Sequence, residues 1–127
     1  MMRLAFEDGD ELQIAAGADI RGVLARLQPI GPDTFAILSR ADEDYVQTMM
    51  EKDGCVIEKR EGRDDAHFRA TRPSFAPPEK VKWWQFGKRP QNEYFTLAET
   101  EEVFASYADG REPPLFVQWV KMDVNNP

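Results

Sequence analysis

The sequence predicts an α+β fold, an antiparallel sheet of about six to eight strands packed against two helices. Three observations carry this reading. Turn signals at Asp8-Gly9, Asp53-Gly54 and Gly62–Asp65 separate short apolar runs, as hairpins require. Ile20, Val23, Leu24 and Leu27 recur at i, i+3, i+4 and i+7, which is one helix face. Thr96 stands three residues before Glu99, ahead of an apolar stripe at Leu97, Val103, Phe104 and Tyr107.

Taken in order, residues 3–6 and 11–15 flank Asp8-Gly9 and form the first hairpin. Asp-Gly supplies the positive φ angles of a tight turn. The run ADIRGVLARLQ is then a helix opened near Asp19 and ended by Pro29, with Arg21 and Arg26 on its solvated side. Residues 34–71 are the organising stretch: strands at 35–40, 44–51, 55–61 and 66–71 form an antiparallel meander. A two-residue loop at Asp53-Gly54 sets Gln47 opposite Arg60 and Met49 opposite Glu58. The next loop sets Arg60 opposite His67 and Glu58 opposite Arg69. Side chains alternate along strands, so Tyr45, Gln47, Met49, Glu58, Arg60, His67 and Arg69 share one face. Val46, Thr48, Met50, Ile57, Phe68 and Ala70 share the other, the core side. Lys59 also falls there, an anomaly unless it lies at an edge and snorkels.

Residues 73–95 change character. Pro73, Pro77, Pro78 and Pro90 bracket KVKWWQFGKR, and four basic residues face two acidic ones in an otherwise acidic chain. This is a long excursion within a single domain spanning 1–127, with one short strand over 81–86. The Thr96–Glu99 capping box then opens a helix that Asp109-Gly110 ends. LFVQWVKM, apolar on both sides, predicts a central final strand, and Asn125–Pro127 a frayed tail.

Composition removes several classes of function. Acidic residues outnumber basic ones by 23 to 16, for a net charge of −7. Phosphate recognition needs a basic footprint, so nucleic acid is not expected as a partner. An acidic surface instead suits a basic protein partner, although solubility alone also explains it. Cys55 is the only cysteine and His67 the only histidine, so an internal disulfide, a thiolate cluster and a multi-histidine metal site are ruled out. Cys55 reads as a small buried residue. No cofactor is expected, since the glycines form no phosphate loop and the acidic runs lack calcium-loop spacing. No run is long and apolar enough for a signal peptide or a membrane span, so the cytoplasm is the expected compartment and no membrane partner is expected.

Catalytic residues are not expected. His67 would need a serine in a nucleophile elbow, and none is so placed. Its neighbours Arg60, Glu58 and Arg69 are explained as a cross-strand charge ladder. Binding residues are easier to nominate. Asp42, Glu43, Asp44, Asp64 and Asp65 sit at turns, where aspartate is locally favoured and where a basic partner can dock. Trp83, Trp84 and Phe86 are either binding anchors or a lid on the sheet's second face. The polar face of Tyr45, Gln47, Glu58, Arg60, His67 and Arg69 is accordingly either a covered structural network or a bare docking surface.

The order FAILSRADEDYVQ, VIEKREG, AHFRAT, a Thr-capped helix ending ASYADG and a last strand carrying Trp119 resembles a class of bacterial immunity proteins. These are small α+β proteins encoded beside polymorphic secreted toxins, nucleic-acid deaminases among them, which they inhibit by direct binding. The resemblance covers about residues 34–122 in the order of elements, with residues 73–95 as an insertion. It implies a toxin inhibitor with no catalytic residues, acting by occlusion of a cognate toxin. The alternative is a ligand-binding or self-associating domain, such as a homodimer, built on Trp83 and Trp84.

Overall fold

The computed structural model describes residues 2–26, 34–62, 66–73 and 91–122. Seven strands form one antiparallel sheet: β1 (Met2–Phe6), β2 (Glu11–Ile14), β3 (Phe35–Ala41), β4 (Asp44–Glu51), β5 (Gly54–Glu61), β6 (His67–Thr71) and β7 (Gln118–Lys121). Their order is β2-β1-β3-β4-β5-β6-β7. One α-helix, α1 (Leu97–Ala108), and two N-terminal 3-10 turns at Gly17–Ile20 and Val23–Arg26 accompany it, with a further 3-10 turn at Gln91–Glu93. The α+β class, the N-terminal hairpin and the four-strand meander are as the sequence predicts.

Leu4, Phe6, Leu38, Val46, Ile57 and Ala70 project from one side of the sheet into a core completed by Ile20 and Leu24 from the 3-10 turns and by Val103, Phe104 and Phe95. Burying such side chains is worth roughly 1.5–3 kcal/mol each, so this layer carries most of the stability. The 3-10 turns dock on α1. Gly17 N–H donates to Asp109 Oδ1 at 2.7 Å, and Gly22 N–H to Glu101 Oε2 at 2.8 Å. A Cβ on Gly17 would collide with the Asp109 carboxylate and lie 2.7 Å from the Ala105 carbonyl oxygen, so only glycine fits this seat.

The helical segment after β2 is two 3-10 turns, where the sequence predicts one continuous helix over 18–28. Gly22 between them has φ +80°, which an α-helix does not accommodate. Ile20 and Leu24 are fully buried all the same. Leu27 and Pro29 fall outside the described residues.

The register across the β4–β5 turn also differs from expectation. Gln47 pairs with Glu58, Tyr45 with Arg60 and Met49 with Val56. The loop residues are Lys52-Asp53, and Gly54 belongs to β5. Its φ of +142° and its position explain the slip. A Cβ there would sit 3.1 Å from Phe95 O and 3.3 Å from Tyr94 Cβ, so the glycine serves a close backbone crossing, not the turn. The slip is by two residues, so every side chain keeps its face. Across the next connection the pairs are as expected, Glu58 with Arg69 and Arg60 with His67.

α1 begins at the predicted capping box. Thr96 Oγ1 accepts from Glu99 N–H at 3.1 Å, while Glu99 Oε1 accepts from Thr96 N–H at 2.8 Å. Asp109 caps the far end, followed by Gly110 at φ +66°. The final strand is not central. Among the described strands β7 pairs only with β6 and ends the sheet order. Its apolar flank is spent otherwise: Phe116 packs tilted against Phe95 with ring centroids 6.2 Å apart, Val117 is buried and Leu115 is 97% exposed. The tail at Asn125–Pro127 and the predicted strand over 81–86 lie outside the described residues. The excursion's flanks meet, since Arg72 N–H donates to Asn92 O at 2.9 Å.

Candidate functional site

The sheet's second side carries the predicted polar row in two ranks. Tyr45, Arg60 and His67 are paired in sequence across β4, β5 and β6, and Gln47, Glu58 and Arg69 form the neighbouring rank. Arg69 is the hub. Its Nη2 donates to Glu58 Oε1 and its Nη1 to Glu93 Oε1, both at 3.0 Å, with Glu93 supplied by a 3-10 turn at Gln91–Glu93. Burial alone would lower the Arg69 pKa, but the bonds to Glu58 and then Glu93 outweigh it and hold the guanidinium above its ordinary value. The group is therefore a fixed charge in a half-buried network, and chemistry that needs a proton to move gains nothing from it. Beside it, Phe35, Ile37, Met49 and Val56 give the same side an apolar end, and a concavity of about 230 Å³ opens there.

The acidic turn residues divide into two kinds. Asp42 and Glu43 are exposed at the two-residue β3–β4 turn. Asp44 is taken up by the fold: its Oδ1 accepts from Tyr107 O–H at 2.6 Å and lies 3.7 Å from Arg40 Nε. Glu43 reaches Arg60 Nη2 at 3.5 Å while staying mostly solvated. Gly62 N–H donates to Glu43 O at 2.6 Å, tying this turn to the end of β5, where Glu61 is exposed. Two acidic segments that are distant in sequence thus share one end of the sheet. Asp64, Asp65, Trp83, Trp84 and Phe86 lie outside the described residues.

Three clusters lie outside the polar row. Arg72 clamps Glu99 through Nη2–Oε1 at 2.7 Å and Nη1–Oε2 at 2.8 Å, with its guanidinium 4.8 Å from the Phe95 ring centroid. Arg72's bonds hold the Glu99 carboxyl below its ordinary pKa against the opposing effect of burial, and Thr96 adds to the lowering. Cys55 is buried as expected, and burial raises its thiol pKa against hydrogen bonds with Thr100 and Thr48, so it is an inert thiol. Lys59 is the third. It lies on the core side but not at an edge, its ammonium 4.6 Å from the Trp119 ring centroid and 5.3 Å from that of Phe68, with Glu61 Oε1 at 2.5 Å. Its misfit to the alternation was the available signal.

Among the described residues, no three histidine, cysteine or acidic side chains are grouped to hold a metal, and no helix is long and apolar enough to cross a membrane. Comparison of the chain with protein-family models, with curated proteins and with solved structures finds no match in any of the three.

Proposed function

We propose that this chain is a non-enzymatic, cytoplasmic inhibitor of the immunity type, which neutralises a cognate toxin by lying over its active site. The observation that supports the reading is the Gly62–Glu43 bond, which gathers exposed Asp42, Glu43 and Glu61 at one end of the sheet. A concentrated acidic end on a chain of net charge −7 draws a basic partner and stands in for the polyanion that a nucleic-acid-directed toxin would hold. The partner is accordingly a basic toxin domain, and the β3–β4 turn is the leading edge of the encounter.

The test is co-expression with the product of the adjacent gene. A complex that survives purification, with restored growth of toxin-expressing cells, is the expected result. Reversing charge at Asp42→Lys with Glu43→Lys should slow association by about tenfold at low salt and much less at high salt. Absence of both complex and rescue would end the proposal.

A further inference from the structure

We propose that the cavity at the C-terminal end of α1 is a binding site for a small organic carboxylate carrying a flat apolar body. It measures about 300 Å³ and lies between α1, the ends of β3 and β5, β7 and the segment 110–113. That is the lower end of the range for ligand pockets, and about ten water volumes. Trp119, Val103 and Tyr107 supply apolar wall, and Arg40, Lys59 and Arg111 supply three cationic groups in a strongly acidic chain.

Lys59 is the anchor. An ammonium on the apolar side of a sheet is costly unless it is paired. Here the lysine side chain is only 16% exposed, and it is held from below by the Trp119 and Phe68 rings. Its carboxylate, Glu61, is half exposed and comes from the solvent side, two residues along the same strand. Glu61 therefore occupies the place a ligand carboxylate would take, and it can swing into water when displaced. The rings that position Lys59 remain when it does. Arg40 is set over the Tyr107 ring at 4.0 Å and aimed by Asp44, and Arg111 is aimed by Asp109 at 3.2 Å. Each guanidinium has five N–H donors, more than one carboxylate contact uses. Glu61 and Glu112 also line the cavity, which favours a single negative charge over a phosphate dianion.

The experiment is titration of the full chain with benzoate, followed by amide and indole NMR shifts, with neutral benzamide in parallel. Benzoate should shift Trp119, Ser106 and Gly110 saturably, and benzamide should not. Lys59→Gln should weaken benzoate at least about tenfold, as loss of a charged hydrogen bond does. Glu61→Gln should strengthen it about threefold by removing the competing carboxylate, a screened pair of modest worth. That exposed variant decides the matter even if Lys59→Gln fails to fold, because a merely structural Glu61 would leave affinity unchanged or lower it. Equal response to benzamide, no saturable shift at Trp119, or unchanged or weaker binding by Glu61→Gln would each overturn the site. All are read on the chain alone, so they stand apart from any toxin.

Discussion

The two sides of the sheet are made from the same strands, yet they are held together by different physics. On the helix side, Leu38, Val46 and Ile57 are fully buried and pack on α1 and the 3-10 turns. On the second side, Glu58, Arg69 and Glu93 share charge-assisted bonds, and Met49 is 42% exposed. The first side is stabilised by area removed from water, and the second by partly screened pairing. The helix side therefore sets stability, while the second side can change its surface at little cost to the fold.

Substitutions matched across the strands test this division directly. Ile57→Ala should cost about 2–5 kcal/mol in denaturant unfolding, whereas Met49→Ala on the neighbouring strand should stay within roughly 1 kcal/mol. Similar losses for both would mean that the second side is as well packed as the first. Gly17→Ala should cost about 1–3 kcal/mol, because the colliding Ala105 carbonyl belongs to α1's own backbone. A neutral result would show that the 3-10 turns pack loosely on the helix.

Arg69→Met should cost about 1–2 kcal/mol by leaving Glu58 and Glu93 half-buried without their shared cation. The additional substitution Glu58→Gln should recover part of that loss, which an interaction of pure packing would not allow. Glu99→Gln should be the mildest, about 1 kcal/mol at neutral pH. Its sign with pH follows from the lowered carboxyl pKa. The stabilisation from Glu99 is complete above the ordinary glutamate pKa and is lost as pH falls from there through the depressed folded value. Unfolding curves of the two proteins should therefore converge in acid, and a constant gap down to the lowest pH would refute the Arg72 clamp as its source.

Much of the fold is written in local sequence, and the exceptions have identifiable causes. The capping box at Thr96 and Glu99 is a contact three residues long, and it was legible as such. The faces of β4, β5 and β6 were legible because alternation survives a two-residue slip. The register itself was not, because Gly54 signals a turn while it actually makes room for Tyr94 and Phe95, some forty residues later in the chain. The same limit explains β7. Phe116, Val117 and Trp119 look like a two-sided strand, but they cover Phe95, the core and Lys59, contacts that no local pattern encodes. Of the candidate site, the polar ranks were readable by parity. The hub role of Arg69 was not, since Glu93 arrives from the far end of the excursion.

The strand order also bears on how the chain is made. From β4 to β6 each strand pairs with the one synthesised just before it, and α1 follows only after residues 72–96. At ~5–20 residues per second on the ribosome, the ladder of β1 to β6 waits a second or more with its greasy side lacking its helix. A nascent chain stalled after Thr71 should therefore bind a hydrophobic dye or a trigger-type chaperone strongly, and one released past Asp109 should not. The slowest vulnerable moment in this protein's life is thus set by the length of its excursion.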